Sequence, residues 1–263
     1  MFKKLSALFF AFVVFFSLGA RFSYAQDTTT PITTQEAKYR GLLDDYRKAQ
    51  DQFIVSAGQY YNLQTLAAQE DAVRALRSVM LTRDDVVIAY FDLLELEINT
   101  VPGIELSRKG QLTSQIDIQK DQLKSHRARV EITTDRINLN LEASGFSQLE
   151  AQLEATSDRS LSLLKIAGIQ AALDQLVLTK SQLDSFVASA PISETVRGEK
   201  QRGLDEMGRS VESIKLVISK ALTRYDESLR SISNPGFSEV RSILNPGFAT
   251  LTQAVQFARE IIQ

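Results

Sequence analysis

The chain has 263 residues, no cysteine, one histidine and nearly balanced charge, with 30 Lys or Arg residues against 32 Asp or Glu. The absence of cysteine excludes disulfides, thiolate metal sites and a cysteine nucleophile, and a single histidine excludes a histidine cluster for metal binding. The formal net charge of −2 is spread along the chain, which argues against a nucleic-acid-binding surface and against strong electrostatic attachment to anionic lipid.

The amino terminus has the pattern of a secretory signal peptide. Two lysines precede an apolar run over residues 5–18, and small residues occupy positions 23 and 25, which a signal peptidase reads. We therefore expect residues 1–25 to be removed and the protein to be exported, to the periplasm or outside the cell. An uncleaved amino-terminal anchor is the alternative. A lipid anchor is excluded, because no cysteine is present to carry the lipid.

The start of the mature chain is expected to be unstructured. Removal of residues 1–25 takes away three cations and changes the formal net charge from −2 to −5. Residues 26–34 are rich in threonine and contain one proline, which predicts a short linker. No later stretch looks long and apolar enough for a transmembrane helix, so none is expected in the mature chain.

Residues 35–232 show the spacing of long amphipathic helices. Apolar residues recur in steps of three and four, and no strand pattern competes with them. The clearest stretch is 193–232, where Pro191 stops a helix from entering and Ser193 can cap a new one. Long helices with short connections pack as antiparallel neighbours. The sequence therefore predicts an all-α fold, an elongated antiparallel helical bundle with coiled-coil character.

Breaks in the pattern predict the helix boundaries. We expect a first helix over 35–66 and a second over 70–99, the latter interrupted at 82–85 by a run that resembles a helix cap. Pro102 and Gly103 end that arm. A third helix is predicted over 104–141, and the run Ala143-Ser144-Gly145 is expected to separate it from a fourth over 147–189.

The first predicted helix carries an aromatic residue at every seventh position. Tyr39, Tyr46, Phe53 and Tyr60 fall on one heptad position, which predicts an aromatic core seam. The alternative is a stacking surface for sugar rings or peptide side chains. An enzyme would become the better interpretation only if these rings lined a cleft together with His126 and a carboxylate.

The third predicted helix has a seam that is half polar. Gln119, His126 and Thr133 alternate there with apolar residues, which is typical of an outer helix or of an arm completed by a second copy of the chain. Because His126 lies between polar neighbours, we interpret it as a surface or seam residue rather than a catalytic base.

The carboxy-terminal region contains a local duplication. Residues 230–237 return as 241–248 with one mismatch, and both copies end in Asn-Pro-Gly-Phe. Proline followed by glycine suits the centre of a type II turn. The sequence thus predicts two helix-terminating turns within 233–263, each anchored by its phenylalanine, Phe237 or Phe248, and followed by a short capping helix from 249. A recognition motif is the alternative.

The chain lacks the spacings that carry common chemistry. There is no glycine-rich phosphate loop, nucleophile elbow, zinc-binding His-Glu-x-x-His or calcium loop. We expect an exported structural or adaptor protein without catalysis, cofactor or metal, which binds a protein partner or a second copy through helical faces. A periplasmic chaperone for unfolded exported proteins is the alternative. The candidate interaction residues are Gln119, His126, Thr133, Phe237 and Phe248.

Overall fold

The computed structural model describes residues 29–230 and 237–262, which form six helices and no strand. The prediction of an all-α, elongated antiparallel bundle is confirmed. The expected signal peptide, residues 26–28 and the first Asn-Pro-Gly triplet, at 234–236, lie outside the described residues. The helices are α1 (Thr29–Leu63), α2 (Leu66–Thr100), α3 (Leu106–Ile132), α4 (Arg136–Ser189), α5 (Glu194–Arg230) and α6 (Phe237–Ile262).

Helix α4 is the central element of the fold. Its 54 residues extend over about 80 Å at 1.5 Å per residue. The amino-terminal half of α4 packs with α2 and α3. Together with α1, which packs on α2, these helices form a group that we call the four-helix section. The carboxy-terminal half packs with α5 and α6, which we call the three-helix section. One continuous helix therefore belongs to both sections.

Side-chain contacts give the direction of each neighbour. The α3 residue Lys120 pairs with Glu95 of α2, whereas His126, one and a half turns later, meets Asp84, so these helices are antiparallel. Sequential helices follow the same rule throughout, as expected for short connections. Helix α6 runs parallel to α4, because it begins beside Asp158 and later approaches Ile169.

The first two helices differ in detail from the prediction. Helix α1 begins at Thr29, so residues 29–34 are helical and not a linker; Pro31 is tolerated there because the first turn of a helix needs no amide donor. Helix α2 runs through 82–85 without a break. The Thr82 hydroxyl donates to carbonyls of its own preceding turn instead of capping a new helix.

The predicted break at Ala143-Ser144-Gly145 is wrong. The connection between α3 and α4 comes earlier, at residues 133–135, where the Asp135 carboxylate accepts the Asn138 amide hydrogen at 2.9 Å and caps α4. The helix continues through Gly145 because the buried seam of Leu139, Phe146 and Leu153 crosses it. Packing along this seam outweighs the cost of about 1 kcal/mol for a glycine in a helix.

The second predicted turn of the carboxy-terminal region is also wrong. Asn245, Pro246 and Gly247 lie inside α6, which is one helix of 26 residues. Proline cannot supply the helical amide hydrogen bond, at a cost of about 3 kcal/mol. Apolar residues recur at helical spacing on both sides of Pro246, and the burial of their side chains stabilises the continuous helix. The buried positions of α6 are Phe237, Val240, Leu244, Gly247, Ala254, Ala258 and Ile261.

Two other predictions are confirmed. Helix α5 starts at Glu194, and the Ser193 hydroxyl accepts the Val196 amide hydrogen at 3.4 Å, as the cap requires. Tyr39 and Tyr46 are buried in the core, and Phe53 packs against the same core. Three of the four rings thus form the predicted packing seam, whereas Tyr60 is half-buried at the end of α1 and its hydroxyl accepts a hydrogen bond from Arg136.

Helix α4 is more apolar than the sequence analysis predicted. It contains an 18-residue window with a mean hydropathy of 1.4, which is long and apolar enough to cross a membrane by composition. The prediction that no stretch after residue 25 is long and apolar enough to span a membrane is therefore wrong as to length and composition. The core helix of a bundle passes the same test, and α4 contacts α2, α3, α5 and α6.

Candidate functional site

The single histidine lies in a buried ionic cluster that joins α2, α3 and α4. His126 Nδ1 is 2.6 Å from Asp84 Oδ2, and His126 Nε2 is 3.1 Å from the carbonyl oxygen of Glu142. The other oxygen of Asp84 accepts hydrogen bonds from Nε and Nη2 of Arg83, at 3.2 and 3.0 Å. The side chains of Asp84 and His126 are fully buried, and that of Arg83 almost so.

Both nitrogens of the His126 ring face oxygen acceptors. A neutral imidazole donates through one nitrogen only, so the two contacts are both hydrogen bonds when the ring is the imidazolium. In that form the cluster contains two cations, Arg83 and His126, and two carboxylates, Asp84 and Glu142. The Glu142 carboxylate lies 4.0 Å from His126 Nε2 and 3.0 Å from Nε of Arg129.

Phe146 closes the cluster on one side. The Arg83 guanidinium carbon lies 3.2 Å from the centre of its ring, and the His126 ring centre lies 5.6 Å from it. Burial lowers the pKa of Arg83, and contact with Asp84 opposes that effect. The histidine and aspartate of the cluster are closed to solvent, and the cluster lies where α2, α3 and α4 meet.

A second ionic group ties α2 to α3 nearer the middle of the molecule. The Lys120 ammonium lies 2.7 Å from Glu95, 3.1 Å from Asp92 and 3.3 Å from Asp117. Burial alone would lower the pKa of Lys120, but hydrogen bonds to Glu95 and Asp92 raise it above its ordinary value. Within residues 29–230 and 237–262, no three His, Asp or Glu side chains are grouped to hold a metal ion.

The five residues predicted for interaction are mostly inside the fold. Gln119, His126 and Phe237 are buried, and Phe248 packs against the core with part of its surface exposed. Thr133 is half-buried at the end of α3, where its hydroxyl donates to the Arg129 carbonyl at 2.8 Å. The structure does not bring the five together at one surface.

Exposed apolar side chains occur instead at the end of the four-helix section. The α1–α2 and α3–α4 turns meet there, because Arg136 Nη1 donates to the Tyr60 hydroxyl at 3.3 Å. We call this region the paired turns. Sequence reasoning missed it, although one signal was present: residues 52–69 contain no charged side chain. The exposed apolar side chains of the paired turns are Ile54, Val55, Tyr61, Leu63, Leu66, Ile132, Ile137 and Leu141.

The three-helix section carries a surface groove of about 420 Å³ between α4 and α5. Its floor is apolar, with Leu173 and Ile218 buried beneath the more exposed Val177. Its rim is polar and contains charges of both signs. At one end Arg108 of α3 makes two hydrogen bonds to the Asp226 carboxylate, at 3.0 and 2.8 Å. Further rim residues are Gln170, Asp174, Lys215, Ser219 and Thr223.

No protein-family model matches this chain, and no curated protein or solved structure shows significant similarity to it.

Proposed function

We propose that this protein is an exported adaptor that binds a partner protein through its helical faces and performs no catalysis. The observation that carries the proposal is the groove between α4 and α5, which has an apolar floor and a rim of mixed charge. That combination suits an amphipathic helix, which buries its apolar side and leaves its polar side at the rim. The partner we infer is therefore a protein that offers such a helix.

The groove is built on rigid elements. Its floor comes from α4 and α5, whose long contact is part of the main core. The Arg108–Asp226 contact links it to α3, with the Arg108 side chain 24% exposed and the Asp226 side chain 36% exposed. Sites on helices hold their geometry better than sites on loops. Apolar side chains beside the groove, Leu178 of α4 and Leu216 of α5, remain exposed and extend the surface offered to a partner.

A chaperone remains the second candidate, and a different observation favours it. The paired turns expose eight apolar side chains at one end of an elongated bundle, which an unfolded polypeptide could contact without a defined sequence. An adaptor and a chaperone differ in the number and stoichiometry of the proteins that they hold.

Site-specific photocrosslinking in the native envelope tests the proposal. A crosslinker is placed at Ser219 or Thr223 in the groove, with Glu199, an exposed residue of α5 outside the groove lining, as the matched control. Capture of one or two defined proteins from the groove positions alone supports the adaptor. A broad, substoichiometric set of exported proteins would indicate the chaperone, and crosslinks between copies alone would indicate a structural assembly.

A further inference from the structure

We propose that the paired turns dock end-on into the interfacial layer of a lipid bilayer, by shallow insertion of uncharged side chains and without need for anionic lipid. This inference is independent of the groove and of the proposed adaptor function. It rests on the exposure, the charge and the angular distribution of the side chains at this end of the molecule.

The two turns form one end face. The contact of Arg136 with the Tyr60 hydroxyl places the start of α4 beside the last turn of α1. Tyr61 is 80% exposed and Leu66 is 72% exposed on one turn, and Ile132 is 81% exposed on the other. Large apolar side chains with such exposure are usually part of an interaction or membrane surface when they cluster.

The longer turn is free of ionisable side chains. Between Asp51 and Glu70 the chain runs through 18 residues, 52–69, without Asp, Glu, Lys, Arg or His. Transfer of a charged side chain out of water costs several kcal/mol, so the uncharged α1–α2 turn is the part that inserts, and the α3–α4 turn, with Asp135 and Arg136, stays at the level of the polar headgroups. Tyrosine, present at positions 60 and 61, is the residue type that favours the boundary between lipid and water.

The exposed side chains surround the helix instead of occupying one face. At 100° per residue, Leu63 lies about 200° around α1 from Tyr61, on the opposite side of the last turn of the helix, and both side chains are exposed. A protein partner or a second copy would cover one side of the turn and leave the others in water. A lipid interface surrounds the turn and covers all of them.

The charge balance predicts the lipid preference. The mature chain is expected to carry a formal net charge of −5. Residues 52–69 are uncharged, and the α3–α4 turn carries Glu131, Asp135 and Arg136, so the paired turns have no net positive charge. Attraction to anionic lipid therefore contributes nothing, and repulsion opposes it at low ionic strength. Binding is expected on zwitterionic vesicles, with little dependence on salt.

Vesicle sedimentation of the full exported chain, with its processing checked by mass spectrometry, tests the proposal. The probe is phosphatidylcholine vesicles, with and without added phosphatidylglycerol, at low and high salt. The variant Leu63→Lys/Leu66→Glu keeps the net charge, and each new charge is favourable at its helix terminus. Its matched control is Leu216→Lys/Leu178→Glu, which places the same charges on exposed positions of the three-helix section.

The wild type and the control should sediment with phosphatidylcholine vesicles, and the turn variant should need about tenfold more lipid or more, because two apolar side chains no longer insert. Absence of wild-type binding, equal binding of the two variants, or a requirement for anionic lipid would overturn the proposal. So would a wild-type dimer, seen by light scattering without vesicle binding, that the turn variant abolishes; that result would identify a second copy as the occupant.

A fluorescent reporter gives a second reading without loss of an apolar group. The chain contains no tryptophan, so Tyr61→Trp introduces a single emitter at the turn and Leu178→Trp introduces one at the control position. Vesicles should shift the emission of the Trp at 61 to shorter wavelength and leave that at 178 unchanged. Equal shifts, or no shift at 61, would contradict end-on insertion.

Discussion

His126 and Asp84 are joined by a contact of 2.6 Å between Nδ1 and Oδ2, with both side chains completely buried. Asp84 is the acceptor that Arg83 and His126 share, and these three side chains lie where α2, α3 and α4 meet. Removal of one partner from a buried ionic group leaves the others without compensation, which costs more than the group contributes as a whole.

Asp84→Asn is expected to lower the free energy of unfolding by about 3–5 kcal/mol. The neutral amide cannot compensate the buried Arg83 guanidinium, and it replaces a carboxylate oxygen that contacts His126. Asp85→Asn is the matched control: Asp85 pairs with Arg127 at a partly exposed site, so its loss should cost about 1 kcal/mol or less. Urea unfolding followed by circular dichroism measures both changes. Equal effects of the two variants would show that the cluster does not hold the helices together.

Replacement of the whole cluster should be less harmful than loss of Asp84 alone. Arg83→Met, Asp84→Leu and His126→Leu in combination remove every charge that needs a partner in the core, apart from Glu142, which also pairs with Arg129. The triple variant should therefore unfold at a higher urea concentration than Asp84→Asn. A triple variant less stable than the single one would contradict this interpretation.

Glu97 predicts a pH dependence of stability. Burial, with a smaller contribution from the negative charge of Glu36, raises the pKa of Glu97 from 4.5 to about 7. The folded state therefore holds a proton that the unfolded state releases, and the stability contributed by this group is full below pH 4.5 and is lost as pH rises through 7. Glu97→Gln should remove this loss, which is on the order of 2 kcal/mol.

The difference in unfolding free energy between the wild type and Glu97→Gln, measured at pH 5 and pH 8, tests this sign. The unfolding free energy of Glu97→Gln, relative to that of the wild type, should be higher at pH 8 than at pH 5. Glu36→Gln should produce a smaller change in the same direction, because it lowers the pKa of Glu97 only in part. An unchanged difference between pH 5 and pH 8 would mean that Glu97 ionises without penalty, and a wild type that becomes more stable than the glutamine variant as pH rises would mean that folding lowers the pKa of Glu97.

Gly247 lies where α6 packs closely against α4 and α5. A Cβ atom at this position would lie 2.7 Å from Ile169 Cδ1 and 3.1 Å from Val217 Cγ1. Gly247→Ala should therefore destabilise the protein by about 1–3 kcal/mol. Gly145→Ala is the control, because a Cβ there meets nothing within 4 Å and should stabilise α4 by about 0.5–1 kcal/mol. Thermal unfolding of both variants decides whether helix continues through each position.

Gln64 adopts a left-handed backbone, with φ of 52°, in the turn between α1 and α2. A side chain in this region costs about 1–2 kcal/mol, which glycine avoids. Gln64→Gly should therefore raise the unfolding free energy by up to about 1 kcal/mol, whereas Gln64→Val should lower it. If both variants lowered it equally, the turn would have to adopt another conformation.

The helical periodicity predicted the fold class, the start of α5 and the burial of Tyr39 and Tyr46, because these depend on burial along one face. The periodicity did not predict the helix boundaries where a residue that disfavours helix lies within a buried apolar seam. Gly145 and the Pro246-Gly247 pair disfavour helix locally, but the apolar seams of α4 and α6 cross them and contribute more. The true break lies at residues 133–135, where Asp135 caps α4, and aspartate is a residue type that favours this position.

The candidate site was harder to predict than the fold. His126 looked like a seam residue among polar neighbours, and its partner Asp84 lay in a run that resembled a helix cap. Only the antiparallel pairing of α2 with α3 brings them together over 42 residues of sequence. The groove combines α3, α4 and α5, so no single stretch of sequence contains its pattern. The uncharged run over 52–69, in contrast, could have been found by inspection.

The continuity of α4 is the claim on which the rest depends, because it holds the groove and the paired turns at a fixed separation. Nitroxide labels on Asn140→Cys and Leu178→Cys, introduced in a chain without native cysteine, measure it by electron–electron double resonance. A continuous helix of 38 residues between the labels predicts one narrow distance distribution near about 57 Å. A broad or much shorter distribution would show that α4 bends between the two sections, and would contradict the account.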